Sequence, residues 1–235
     1  MKKTTNHFTT KYKSNLLSSV FFSLISNFRK FFAIALLTLS FTITQQVIAQ
    51  VSVTATAGTL GPTTYSTVNA AFAAINAGTH QGAININIVS NSTETAACVL
   101  NSSGAGSANY TSILLRPVND GLTISGPTVT GRGLIELNGA DNVTIDGDNP
   151  NTSGINKNLT ITNTAATSVT FTSVIRIATS TLVTTANNVT VKNCNLNGSG
   201  NSFNASGNTS FTATQAGTNV IFAGAGASTT AATTA

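Results

Sequence analysis

Oxygen-bearing side chains are clustered after one short alternating run in the middle of the chain. Asp146, Asp148 and Asn149 lie close together in the segment DNVTIDGDNPN (141–151). Carboxylate and amide oxygens at such spacing are the ligands that Ca²⁺ prefers, but position 12 counted from Asp146 is Lys157, where a calcium loop of the EF-hand type requires Glu. Asp-Gly and Asn-Pro are also turn-forming pairs. We interpret the cluster as a turn, with a calcium site as the alternative and calcium as the one candidate cofactor.

An acid and a base with catalytic potential lie in two other alternating runs. Glu136 lies in LIELN and Arg176 in VIRIA, each between apolar neighbours. This alternation predicts side chains that point away from the core. If both occupy matching positions of one sheet, they form an outward pair, which we interpret as a solvated salt bridge rather than a catalytic pair.

Histidine, the usual base of nucleophilic catalysis, is scarce in this chain. His80, in the segment AGTHQGA, has no acidic residue near it and is predicted to lie in a surface loop. The acids and bases form no recognisable lyase or esterase set. We therefore name no catalytic residue, and enzymatic activity stays open with the negative favoured.

The positive charge of the chain belongs mainly to its leader. The formal net charge is +5, yet the part from Gln50 onward has five basic and six acidic residues. This body carries no basic footprint for nucleic acid, so nucleic acid is not expected as a partner.

The leader, residues 1–49, is typical of a secretory signal. Arg29 and Lys30 precede the apolar run FFAIALLTLSFTI (31–43), and VIAQ (47–50) supplies small residues for cleavage before Gln50. The alternative is an uncleaved anchor, which is then the only contact with a membrane that we expect. Export predicts a secreted protein or one on the outer cell surface.

One amphipathic helix is predicted at about 67–77. Ser66 is the expected N-cap and Gly78 the expected C-terminal stop. The apolar residues with helical spacing are Val68, Ala71, Phe72 and Ile75.

The rest of the body favours short strands. We predict them at 86–90, 112–117, 122–126, 134–139, 142–147, 158–163, 173–178 and 188–193. The pattern apolar–Thr–apolar starts at Leu122, Val143, Leu159 and Val189. The mean spacing of about 22 residues between these starts indicates a solenoid.

The fold class predicted from this repetition is all-β, with a right-handed parallel β-helix at residues 50–197 as its architecture. Asn142, Asn158 and Asn188 precede three of the motifs, and Asn suits corners in which the backbone turns left-handed and side chains stack. The alternative is a β-sandwich, which is less favoured because hairpin signals are sparse.

The segments TYSTVNAAFAAINAG, SILLRPVNDGLTISG and LIELNGADNVTIDG together resemble the opening of a parallel β-helix of the pectate-lyase-like superfamily. They are most similar to large surface proteins that bacteria export by type IX secretion. The resemblance covers residues 51–195 and implies that the amphipathic helix caps one end. It does not imply an activity, because this superfamily includes enzymes, adhesins and inert stalks.

Residues 198–235 are a low-complexity continuation rich in Thr, Ala, Gly and Asn. We interpret the chain as the front piece of a longer protein, with a tail that folds back as the alternative. The function expected is structural or adhesive, with surface glycans as candidate partners. The alternative function is the N-terminal part of a carbohydrate-active enzyme, a polysaccharide lyase or an esterase, whose catalytic residues lie elsewhere.

The two cysteines are predicted to be free and packed inward. Cys98 and Cys194 lie about four turns of a β-helix apart, or about 19 Å at the spacing of neighbouring strands. A disulfide requires Cα atoms within about 7 Å.

Overall fold

The computed structural model describes residues 23–25, 27–28, 49–166, 168–169, 171–179, 186–199 and 219–224. The chain divides into two compact units, Met1–Val47 and Ile48–Ala235. In the first, the described residues 23–25 and 27–28 are helical. Within the described ranges, no helix has the length and apolar character needed to span a membrane. The apolar run 31–43 lies outside the described residues, so the signal stays a prediction.

The second unit is mostly β-structure, which confirms the all-β class. Its one helix among the described residues is α1 (Val68–Asn76). The strands are β1 (Val51–Gly58), β2 (Thr63–Tyr65), β3 (His80–Ile88), β4 (Ser92–Thr93), β5 (Cys98–Asn101), β6 (Tyr110–Pro117), β7 (Leu122–Gly126), β8 (Gly133–Asn138), β9 (Val143–Asp146), β10 (Leu159–Asn163), β11 (Ser173–Ala178), β12 (Thr190–Lys192), β13 (Cys194–Asn197) and β14 (Asn219–Gly224).

The strands form three sheets that the chain visits in a fixed rotation. Sheet A has the order β12-β9-β6-β3-β1-β2, sheet B the order β13-β10-β7-β4, and sheet C the order β14-β11-β8-β5. From β3 onward, successive strands enter sheets A, B and C in turn, and we call each such set of three a circuit. Strands of successive circuits pair in parallel, whereas β1 pairs antiparallel with both β2 and β3.

Apolar side chains stack in register between circuits, and these stacks form the core. In sheet A, Ile86 pairs with Leu115, which pairs with Ile145. All three are at most 1% exposed. The residues between them are less buried, because successive side chains of a strand point to opposite faces. Alternation in the sequence therefore identified the inward positions correctly.

The spacing of about 22 residues predicted for the repeat is wrong. Ile84 pairs with Ile113, 29 residues later, and Ile113 pairs with Val143, 30 residues later. In sheet B, Leu122 pairs with Leu159, 37 residues later. The apolar–Thr–apolar pattern occurs in both sheets, so counting every occurrence mixed two positions of each circuit.

Helix α1 covers the apolar stacks at the end of the sheets where β1 and β2 lie. Phe72 and Ile75 are 1% and 0% exposed and belong to the same buried cluster as the strand residues. The predicted N-cap is wrong by one position: Thr67, not Ser66, has extended backbone and accepts a hydrogen bond from the Ala70 N–H. Gly78 follows the helix with φ +76°, as expected of a C-terminal stop.

A carboxylate from the first circuit also binds the start of α1. The buried Glu94 accepts hydrogen bonds from the Val68 N–H at 2.9 Å and the Asn69 N–H at 3.1 Å. The Ser92 hydroxyl donates to the same carboxylate at 2.5 Å. Negative charge at a helix N-terminus satisfies free N–H groups and complements the helix dipole. Glu94 thereby joins the helix to the loop that follows β4.

Asparagine corners are confirmed at two of the three predicted positions. Asn142 and Asn188 have φ values of 56° and 55°, and the Asn188 amide donates to Asn142 Oδ1 at 3.0 Å. Asn158 instead donates to the carboxylate of Asp120. Asn193, which no pattern identified, is a further corner with φ 55°.

The last circuit extends beyond the predicted boundary at residue 197. Strand β14 lies within the segment assigned to low-complexity continuation, and it pairs in parallel with β11. Ile221 is 45% exposed although its partner Ile175 is fully buried. The remainder of 198–235 lies largely outside the described residues.

Candidate functional site

The acidic cluster at 146–149 forms a hydrogen-bonded corner between β9 and β10. Asp146 Oδ1 accepts from the Asn193 amide at 2.8 Å and from the Asp148 N–H at 3.1 Å. Asp146 Oδ2 lies 3.1 Å from Lys192 Nζ on the neighbouring strand. A backbone turn follows, closed by the Thr152 N–H donating to the Asn149 carbonyl. The predicted turn is confirmed.

The other oxygens of the predicted calcium set also bind protein groups. Asp148 Oδ1 accepts from the Asn156 N–H at 2.7 Å, and Asn149 donates to Asp120 at 2.7 Å. Among the residues that the structure describes, no group of three or more His, Cys, Asp or Glu side chains is placed to hold a metal ion. Calcium binding by Asp146, Asp148 and Asn149 stays a prediction.

We expect Asp146 to make the stability of the protein depend on acid pH. Partial burial opposes its ionisation, but hydrogen bonds from Asn193 and Asp148, with Lys192 nearby, hold its pKa below the ordinary value. A carboxyl with a depressed folded-state pKa stabilises the fold above its unfolded pKa of about 4, and this contribution is lost as pH falls through the folded value. Urea unfolding of Asp146→Asn and the parent protein, followed from neutral pH to below about pH 3, measures it. The variant should show the smaller loss, and equal losses would contradict the assignment.

Glu136 and Arg176 are brought together, but they are buried rather than solvated. The two residues are register partners on β8 and β11, as the sequence suggested. Their exposures are only 4% and 3%, so the expected solvated salt bridge is wrong. Loop 127–132 contributes to this burial, since the Arg176 guanidinium donates to the Gly131 carbonyl.

Arg132, which no sequence pattern identified, completes a charged cluster with Glu136 and Arg176. Its Nε and a terminal guanidinium nitrogen lie 2.6 and 2.5 Å from the two oxygens of Glu136, a bidentate pair. The Gly133 N–H donates to the same carboxylate at 2.9 Å. The Arg176 guanidinium also lies 5.8 Å from the centre of the Phe222 ring. We call Arg132, Glu136 and Arg176 the sheet C cluster.

A cleft of about 320 Å³ opens beside the sheet C cluster. It lies between the loop that joins β4 to β5 and the loop that joins β7 to β8. Its lining residues are Thr95, Ala96, Ala97, Pro127, Thr128, Val129 and Arg132. The walls are therefore mostly apolar, with two threonines and one guanidinium as the polar groups.

The chain matches no family model, no curated protein and no solved structure. Its resemblance to secreted β-helix proteins rests on the residues alone. The function of the cleft and the sheet faces is accordingly argued from their geometry.

His80 does not lie in a surface loop, and that prediction is wrong. It is the first residue of β3 and is fully buried. Its Nδ1 lies 2.6 Å from the Thr59 carbonyl, and its Nε2 lies 2.7 Å from the Tyr65 hydroxyl. The carbonyl can only accept, so Nδ1 carries the proton and Nε2 accepts from Tyr65. His80 thus fastens the β1–β2 connection onto β3.

Both cysteines are free thiols, as predicted. Cys98 is fully buried in β5 of sheet C, and Cys194 packs against the core from β13 of sheet B. Burial, with a further contribution from Glu94, raises the pKa of the Cys98 thiol far above its ordinary value. Burial and the nearby Asp146 raise the pKa of Cys194 to about 11.

We expect both thiols to resist alkylation in the folded protein. The thiolate is the reactive form, so at about pH 8 Cys194 should react with iodoacetamide roughly a hundredfold more slowly than an unperturbed cysteine. Cys98 should react only on unfolding. Mass spectrometry of tryptic peptides after timed labelling measures both rates. Labelling in guanidinium chloride is the control, in which both cysteines should react equally fast. Fast native labelling of Cys98 would contradict its burial.

Proposed function

We propose that residues 50–197 and strand β14 form a right-handed parallel β-helix, and that the protein is exported to serve at the outer cell surface. The ordered rotation through sheets A, B and C supports a solenoid, because each circuit stacks on the one before it. The right-handed sense is the usual one for parallel strands joined by crossovers. The capped end formed by α1 supports the relationship to the pectate-lyase-like superfamily and to type IX secreted surface proteins.

The observation that carries the functional proposal is a two-column polar ladder on the outer face of sheet B. The first column contains the register partners Thr123, Thr160 and Asn195. The second column contains Thr93, Ser125, Thr162 and Asn197. Neighbouring members of a column are about 4.8 Å apart, which is the spacing of paired strands. The ladder carries hydroxyl and amide groups and no charge.

The polar ladder fits a structural or adhesive role with surface glycans as partners. Hydroxyl and amide groups exchange hydrogen bonds with sugar hydroxyls, and each such contact is weak in water. Repetition along the sheet gives several contacts at once, so binding gains through multivalency. The β-branched threonines also suit the strand, so the ladder serves the fold and the surface together.

Binding to immobilised neutral polysaccharides, such as xylan and mannan, tests the ladder. The double variant Thr123→Val, Thr160→Val removes two neighbouring hydroxyls while it keeps the side-chain shape. We expect about tenfold weaker binding with little change in stability. The matched control is Thr144→Val, Thr190→Val, which alters a register pair on sheet A and should bind like the parent. No binding by the parent, or equal weakening by both variants, would overturn the adhesive role.

A second candidate function is the N-terminal part of a carbohydrate-active enzyme. The cleft beside an acid and two arginines favours it, because a recess with charged groups is the usual form of an active site. Release of reducing or unsaturated ends from acidic polysaccharides tests it directly. Activity that disappears in Glu136→Gln while the fold is retained would favour the enzyme over the adhesin.

A further inference from the structure

The sheet C cluster has an excess of positive charge that the chain itself does not balance. Arg132 and Arg176 contribute two guanidinium groups, and Glu136 contributes one carboxylate. Arginine stays protonated in proteins, so the cluster cannot become neutral by losing a proton. Its net charge is therefore +1 at a site where two of the three residues are at most 4% exposed.

No other acidic side chain is available to the cluster. The chain has six Asp and Glu residues. Of the five besides Glu136, Glu94 binds the start of α1, Asp120 binds two Asn amides, and Asp146 faces Lys192. Asp141 and Asp148 accept from the backbone N–H groups of residues 187 and 156. The Phe222 ring and the Gly131 carbonyl soften the charge of Arg176, but neither carries a full negative charge.

We infer that the cleft beside Arg132 binds a small oxyanion, a sulfate or carboxylate group, that balances the sheet C cluster. A buried charge without a counter-charge is unfavourable, and an oxyanion next to the guanidinium removes that cost. Arginine suits this task because its planar donors match the oxygens of both groups. The hydroxyls of Thr95 and Thr128 lie in the same lining and offer neutral donors.

The apolar walls of the cleft make the site selective for an anion carried on a larger molecule. Ala96, Pro127 and Val129 offer contact for carbon atoms next to the charged group. Val129 is 69% exposed, so the cleft opens to solvent and a chain bearing the anion can extend outward. This inference does not depend on the ladder of sheet B, since the two surfaces share no residue.

Titration of the purified full chain with sodium sulfate and with sodium acetate, against sodium chloride at equal ionic strength, tests the inference. The readout is the melting temperature, supported by isothermal calorimetry. We expect stabilisation that saturates for one or both anions. Saturation with sulfate identifies a tetrahedral anion, and saturation with acetate a planar carboxylate. Because sulfate stabilises most proteins without saturation, a linear response equal to that of a distant-site variant counts against the inference.

Two variants separate binding in the cleft from a general salt effect. Ala96→Phe fills the cleft from an exposed position and leaves the cluster intact, so it should weaken anion binding about tenfold or more. Ala57→Phe places the same side chain at an exposed position on β1 and should bind like the parent. Identical titrations of Ala96→Phe and the parent would overturn the proposal. So would the lack of a saturable response in the parent, even if the polysaccharide test of sheet B succeeds.

Discussion

Replacing Glu136 by Ala should lower the free energy of unfolding by about 3–5 kcal/mol, the usual effect of removing one partner from a buried ion pair. The substitution leaves Arg132 and Arg176 close together without a carboxylate, and it deprives the Gly133 N–H of its acceptor. Urea unfolding followed by circular dichroism at neutral pH measures the change. A loss below about 1 kcal/mol would mean that water or another group already balances the cluster.

The matched control for Glu136 replaces charge by apolar volume. In the triple variant Arg132→Met, Glu136→Leu, Arg176→Met, no charge is left without a partner. Buried ion pairs replaced in this way are often neutral or stabilising. We therefore expect the triple variant to be more stable than Glu136→Ala although it has two further substitutions. The opposite order would show that specific hydrogen bonds, rather than charge balance, hold loop 127–132.

Replacing Phe72 by Ala should cost about 3–5 kcal/mol, the usual range for an aromatic side chain in a core. Phe72 is the largest side chain of α1 that covers the stacked strands, and it is 1% exposed. Its loss leaves a cavity between the helix and the first circuit. Thermal and urea unfolding measure the cost, and increased binding of a hydrophobic dye would report exposed core.

Two further variants separate packing from helix formation at position 72. Phe72→Leu keeps most of the buried volume and should cost less than half as much as Phe72→Ala. Ala73→Gly lies on the exposed side of the same helix and lowers helix propensity by about 1 kcal/mol without touching the core. If Ala73→Gly were as destabilising as Phe72→Ala, the helix rather than its packing would limit stability.

The parts of this fold that sequence could predict are those set by local patterns. Phe72 and Ile75 follow the helical period, and inward residues such as Ile145 follow the period of two. Both patterns are fixed by backbone geometry within one element. The left-handed corners at Asn142 and Asn188 were predictable for a similar reason, since Asn tolerates that conformation with little strain.

The parts that sequence could not predict depend on contacts between distant segments. Burial of Glu136 requires loop 127–132 to fold over sheet C, and alternation within a strand only separates its two faces. His80 seemed exposed because Gly and Thr surround it, yet its environment is set by Thr59 and Tyr65. No propensity scale describes such pairings, because the stabilising partner is chosen by tertiary structure.

The hydrogen bonds from α1 to Glu94 also have a consequence for how the protein is made. A helix of nine residues is too short to be stable alone in water. Its best acceptor lies 26 residues after Val68, so closing that loop must precede a stable cap. During synthesis the helix should therefore remain unformed until the first circuit has emerged. The cap and that circuit should then fold together as the nucleus on which later circuits are added one at a time.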